Sequence, residues 1–202
     1  MRQSESASLV NQTIDQDDAE FIEKVRGGNS SAFEGLVRKY QNRLYTALVH
    51  ISGSRQEAED IAQDAFVQAY RKLHLFAGNS SFYTWLYRIA VNAAISRKRK
   101  KRAEYSVEQT QAVTGDEPLD KSERVDERLL REERANIIQV ALTRLPEEFR
   151  VVLVLREMEA FNYEAISETL DLPVGTVRSR LHRARVQLKE ILSKLMRDPV
   201  DG

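Results

Sequence analysis

An all-α fold is predicted: two small helical domains joined by a flexible acidic linker, the second domain ending in a helix-turn-helix. Three observations predict it. Apolar residues recur at helical spacing between capping and breaking residues, while strand signals are scarce. A polar, acidic stretch over residues 103–128 carries Gly115 and Pro118 and no sustained periodicity, so it separates two periodic regions. Near the C-terminus a short apolar stripe, a tight turn and a second, arginine-rich stripe follow one another closely.

The elements follow in chain order. Residues 1–19 read as an N-terminal tail, and AEFIEKVRGG is an amphipathic segment stopped by Gly27-Gly28, a common helix C-terminus. Ser31-Ala32-Phe33-Glu34 has capping-box spacing, in which the Ser and Glu side chains satisfy free amides of a first turn. Phe33, Leu36, Val37, Tyr40, Leu44, Ala47 and Leu48 then share one face. Ser52-Gly53 breaks the pattern, and Ser54-Arg55-Gln56-Glu57 restarts it with a second capping box. Ile61, Ala65, Ala69 and Leu73 follow at intervals of four. Ala77-Gly78-Asn79-Ser80-Ser81 interrupts again before a helix beginning near Phe82. Four helices over residues 20–102 make one domain.

A second domain is predicted over residues 129–196, with a tail at 197–202. Ile137, Val140, Ala141 and Leu145 are spaced for one helical face. Pro146-Glu147-Glu148 opens another helix, with proline in the first turn and acids at the positive helix end. VVLVL at 151–155 would suit a buried strand equally well, but its start signal and the lack of a pairing partner favour helix. Asn162 is a good N-cap for a helix carrying Ile166 and Leu170. After the turn Asp171-Leu172-Pro173, a second helix puts Val177, Leu181, Ala184 and Leu188 on one face, with Arg178, Arg180, Arg183 and Arg185 around the rest. Asp171 stands where such turns often use glycine to reach a left-handed backbone, a region Asp tolerates better than most residues.

Composition excludes several classes. There are no cysteines, so disulfides and thiolate metal sites are ruled out. No apolar run approaches membrane-spanning length, and the first residues lack the apolar core of a signal peptide, so an intracellular protein is expected. His50 and His74 have no metal-ligand companions, and no clustered carboxylates or activated nucleophile argue for catalysis. Neither a metal, a cofactor nor a small-molecule substrate is expected.

The formal net charge is zero, yet the charges are segregated. Residues 82–102 hold seven basic side chains and no acid, residues 103–120 five acids and no base, and residues 174–197 seven Lys or Arg against Glu190 alone. Two basic patches on amphipathic helices point to two contacts with nucleic acid rather than to solvated faces. In the helix opened by FYTWLYRIAVN (82–92), Phe82, Trp85, Leu86, Ile89 and the following Ala93 share a stripe and read as core. Tyr83, Tyr87, Arg88 and Asn92 lie off its centre.

LPEEFRVVLVLREMEAFNYEAISETLDLPVGTVRSRLHRARVQL resembles domain four of bacterial sigma factors of the sigma-70 family. AEDIAQDAFVQAYRKL and FYTWLYRIAVN resemble domain two. Two domains with only a short linker resemble the extracytoplasmic-function group, sigma-E type, over roughly residues 20–195. The resemblance implies an alternative sigma factor that binds core RNA polymerase and directs promoter recognition, melting and transcription initiation in an envelope stress response. The competing reading is a helix-turn-helix regulator acting on DNA without polymerase. By resemblance, Asp60, Gln63 and Asp64 contact the clamp coiled coil of the polymerase's largest subunit, and domain four meets the β-subunit flap. Asn79, Ser80, Tyr83, Arg88 and Asn92 face −10 DNA, with the loop 76–81 capturing a flipped base. Gly175, Thr176, Arg178, Ser179, His182 and Arg183 face the −35 element. The run Arg97, Lys98, Arg99, Lys100, Lys101 and Arg102 is expected to grip phosphates without reading sequence. A membrane-anchored anti-sigma factor holding the protein near the inner membrane is implied as well.

Overall fold

Eight α-helices make up most of the described backbone in a computed structural model that describes residues 15–104 and 125–197, with backbone alone for 97–104 and 125–132. The helices are α1 (Gln16–Arg26), α2 (Phe33–Ser52), α3 (Arg55–Lys72), α4 (Phe82–Glu104), α5 (Val125–Thr143), α6 (Glu147–Leu153), α7 (Tyr163–Leu170) and α8 (Val174–Arg197). Among the described residues there is no strand, and no helix is long and apolar enough to cross a membrane. VVLVL is helical: α6 continues into a π-turn over Val154–Met158. Residues 1–14, 105–124 and 198–202 lie outside the described residues, as do the side chains of Arg97, Lys98, Arg99, Lys100, Lys101 and Arg102.

Local chemistry sets the helix ends. Asp15 caps α1 by accepting from the Asp17 amide at 3.0 Å, and Ser54 caps α3 by accepting from the Glu57 amide at 3.3 Å. Asn162 caps α7 through the Ala165 amide at 2.7 Å. The capping box expected at Ser31 does not form. A 3₁₀ turn, Ser30–Ala32, leads directly into α2, and the Ser31 hydroxyl donates to Asn29 Oδ1. Helix α4 runs to Glu104 and α5 begins at Val125.

Helices α2, α3 and α4 enclose the first core through Leu36, Leu44, Leu48, Ile61, Ala65, Phe82 and Leu86, all at most 1% exposed. Helix α1 is pinned to it by a buried carboxylate: Asp18 accepts from Tyr40 Oη at 2.6 Å and Lys39 Nζ at 2.7 Å. Helices α5 to α8 form the second core around Leu142, Leu155, Ile166, Val177 and Leu181. The two cores are continuous, because α7 packs on α4 and α5 packs on α2.

Candidate nucleic-acid interface

Helices α7 and α8 form the helix-turn-helix. Asp171 sits at φ 53°, ψ 51°, the left-handed conformation the turn requires, and its amide bonds back to the Ser167 carbonyl. Val177, Leu181 and Ala184 of α8 are buried. That rotation leaves Arg178, Ser179, His182 and Arg183 exposed along one side, with Gly175 exposed and Thr176 half-buried at the helix start. The arginines then divide by partner. Arg180 pairs with Glu148 at 2.9 Å and Arg185 with Glu157 at 2.6 Å, so both brace the domain. Arg183 makes no ion pair with a described residue, and Arg178 lies 5.5 Å from the Tyr163 ring centroid. In the first half of α8, Arg178 and Arg183 are the exposed arginines without an ion pair to a described residue.

In the first domain, the loop 76–81 is held at both ends. Phe76 packs its ring on Phe82 and Trp85, with centroids 6.0 and 5.2 Å apart. Ser81 Oγ caps α4, accepting from the Thr84 amide at 3.1 Å. Between these anchors Gly78 turns the chain at φ 77°, Asn79 is exposed and Ser80 is half-buried. Arg88 and Asn92 are exposed on α4. Asp60, Gln63 and Asp64 are exposed together on α3, opposite the buried Ile61, Ala62 and Ala65.

Tyr83 departs from the expectation of an open DNA-facing ring. It is 3% exposed, and Tyr87 beside it is fully buried. The second domain covers the side of α4 that its own domain leaves open. Phe161, just before α7, lies 6.4 Å from the Tyr83 ring and 5.4 Å from the Tyr87 ring. Glu159, 4% exposed, accepts from Tyr83 Oη and Arg43 Nε, both at 2.9 Å, while the Arg43 guanidinium lies 4.1 Å over the Tyr83 ring. Burial and the Glu159 charge push the Tyr83 phenol far up. Between Glu159 and Phe161, Ala160 adopts φ 56°, a conformation costly for a residue with a Cβ. Beside this contact, His50 Nδ1 meets Gln139 Oε1 at 2.7 Å, and Gln139 Nε2 donates to the Val49 carbonyl at 3.2 Å.

Comparison with known proteins decides the family. The descriptions "Sigma-70 region 2" and "Sigma-70, region 4" match residues 36–104 and 135–188, the two domains in order. A sigma-H factor of Pseudomonas aeruginosa is 39% identical over 91% of this chain and 97% of its own length. The chain belongs to the extracytoplasmic-function group of sigma-70 factors. The SigW factor of Bacillus subtilis is 37% identical over 88% of the chain and 95% of its own length. The sigma-E factor of Escherichia coli is 35% identical over 89% of the chain and 96% of its own length. Two solved structures share the fold, each at 24% identity. The Bartonella quintana sigma factor RpoE, in complex with the anti-sigma factor NepR, has a TM-score of 0.66 over 80% of this chain and 96% of that one. CnrH, in complex with the cytosolic domain of CnrY, has 0.61 over 89% and 99%.

As a sigma factor, the protein acts with RNA polymerase in transcription initiation, and the reading as a polymerase-independent regulator is not favoured. Two of its interface residues were invisible to motif and periodicity. Arg43 and Glu159 are 116 positions apart, and neither belongs to a charge run. The one available signal was a surplus of aromatic residues in FYTWLYRIAVN, more than a single helical stripe can bury. Among the described residues no cluster of three or more His, Cys, Asp or Glu could hold a metal ion.

Proposed function

We propose that this sigma factor docks on core polymerase through Asp60, Gln63 and Asp64 of α3 and reads a two-element promoter with its two domains. Asn79 and Ser80 present an amide and a hydroxyl suited to a base edge, at a loop apex where an unstacked base would be accessible. Arg88 and Asn92 flank that loop on α4. Arg97, Lys98, Arg99, Lys100, Lys101 and Arg102 continue the same helix and supply phosphate contacts. Helix α8 reads duplex through Arg178, Ser179, His182 and Arg183, and the start of α8 at Gly175 and Thr176 suits a backbone phosphate. RNA synthesis itself is left to the polymerase.

Domain four carries an open apolar groove of about 750 Å³, lined by Ile138, Leu142, Met158, Leu188, Leu192 and Met196 among others. Its length and apolar lining suit the β-subunit flap, the second polymerase contact. A membrane-anchored anti-sigma factor is the remaining proposed partner. RpoE, whose fold this chain shares, forms a complex with the anti-sigma factor NepR, which supports an anti-sigma partner; a membrane anchor on that partner would hold the protein near the inner membrane in an envelope stress response.

The single observation behind the promoter reading is the pair of separate, exposed donor sets, one at the loop 76–81 and one along α8. Their separation has a consequence. Elements at −10 and −35 lie 25 base-pair steps apart, about 85 Å of duplex. A chain of 202 residues packed as one globule is only roughly 43 Å across. The domains must therefore part at the Glu159 contact before both elements can be held. The residues between α4 and α5, fully extended, reach about 70 Å, enough to allow it. Binding to core polymerase tests the docking surface: charge reversal at Asp60 and Asp64 is expected to abolish it, and unchanged affinity would remove α3 from the interface.

A further inference from the structure

The loop 76–81 carries its polar apex on a short span, so the direction of Asn79 depends on how the ends of the loop are fixed. Phe76 and Ser81 anchor it from within the domain-two region, as described above. The third anchor comes from outside the segment matched as sigma-70 region 2. Arg26, the last residue of α1, reaches across to the 3₁₀ turn Leu73–Leu75 that precedes the loop. Its Nη2 donates to the Leu73 carbonyl at 3.0 Å and to the Phe76 carbonyl at 2.5 Å. The Leu73 carbonyl also accepts from the Phe76 amide at 3.2 Å, so the guanidinium adds a second donor there and supplies one to the Phe76 carbonyl beyond the turn. A single cation thus ties the end of α1 to the residue from which the loop departs.

We infer that Arg26 is a positioning residue for capture of the −10 base. The inference rests on the reading of loop 76–81 as the base reader. Arg26 touches no DNA in this scheme. It fixes where the Phe76 backbone leaves the 3₁₀ turn, and through the turn at Gly78 it fixes where Asn79 and Ser80 stand. Without it the Phe76 carbonyl loses this donor, the 3₁₀ turn loses its tie to α1, and the apex samples more directions. A base that fits and a base that does not are then told apart less well.

The test uses the full chain with core polymerase and a promoter recovered by transcribing a randomised template library. Templates carrying single substitutions in the −10 element and, separately, in the −35 element are transcribed by the parent, Arg26→Ala and Arg26→Lys. Discrimination among −10 bases is expected to fall roughly fivefold in Arg26→Ala, the equivalent of about one net hydrogen bond. Discrimination among −35 bases stays at the parental level, and Arg26→Lys recovers part of the loss. A merely structural role would lower output from every template by one factor and leave both ratios alone. That result, or an Arg26→Ala protein with parental −10 discrimination, overturns the inference. If the alanine variant does not fold, Arg26→Gln is read by the same ratio. Asn79→Ala and Ser80→Ala run beside it. Should these leave the −10 ratio unchanged, the loop is not the reader and the inference falls with it. Should they lower the ratio while Arg26→Ala does not, the inference alone fails.

Discussion

Replacing Glu159 with alanine is expected to free the two domains from each other. The carboxylate is nearly sealed, with 6% of its side-chain surface exposed, whereas its partner Arg43 is 46% exposed. The ion pair is thus partly hydrated, and we assign it about 1 kcal/mol rather than the value of a buried pair. The bond from Tyr83 Oη is buried and charge-assisted, and contributes about 1.5–2 kcal/mol. Together the loss is about 2.5–3 kcal/mol, which multiplies the ratio of parted to packed molecules roughly 70- to 160-fold. Because the chain contains no cysteine, Glu59→Cys and Glu190→Cys provide two unique sites for spin labels, both on exposed positions of different domains. Pulsed dipolar spectroscopy is expected to show a long-distance population in Glu159→Ala that the parent lacks. In a double-mutant cycle, Arg43→Ala and Glu159→Ala should be coupled by about 1 kcal/mol. Identical distance distributions in parent and Glu159→Ala would refute the assignment of this contact as one that holds the domains together.

Other outcomes follow from the same geometry. Tyr83→Phe loses a hydrogen bond and should cost about 1–2 kcal/mol in thermal unfolding, whereas Tyr87→Phe should cost nothing, since the Tyr87 hydroxyl is buried without a described partner. A loss above about 1 kcal/mol in Tyr87→Phe would contradict that packing. Burial raises the phenols of Tyr40, Tyr83 and Tyr87 above the ordinary value of 10.0. A group raised in the folded state contributes stability that is complete below its unfolded pKa and drains away as pH climbs beyond it, so stability should fall above pH 10. Absorbance at alkaline pH should show these three ionising together with unfolding, and their free titration in the folded protein would contradict it. Asp171→Val places a β-branched residue at φ 53° and should destabilise domain four by about 2 kcal/mol in denaturant unfolding. Arg183→Ala should weaken −35 binding by roughly 1–3 kcal/mol, and unchanged affinity would remove it from the reading set.

Much of this was legible in the sequence, and the failures have two causes. Capping by Ser54 and Asn162, the αL residue at Asp171 and the exposed side of α8 all follow from contacts within a few residues, which spacing records. Ser31 failed as a cap because a 3₁₀ turn took over the first amides, a competition between two local solutions that the motif alone does not rank. Tyr83 and Tyr87 failed for a different reason. Their burial depends on Phe161 and Glu159, which approach from another domain across an acidic linker, and one helix's periodicity cannot register a second packing partner. Arg26 is likewise unremarkable in a sequence reading, since its value lies in two carbonyls some fifty residues away.

Transcription in vitro from a promoter library, with core polymerase and the parent chain or its Asp60→Lys/Asp64→Lys form, tests the central claim most directly. The account predicts that the parent directs core polymerase to start sites sharing two spaced elements, and that the charge-reversed protein directs none. Start sites independent of the protein, or promoter-specific output that survives charge reversal, would contradict it.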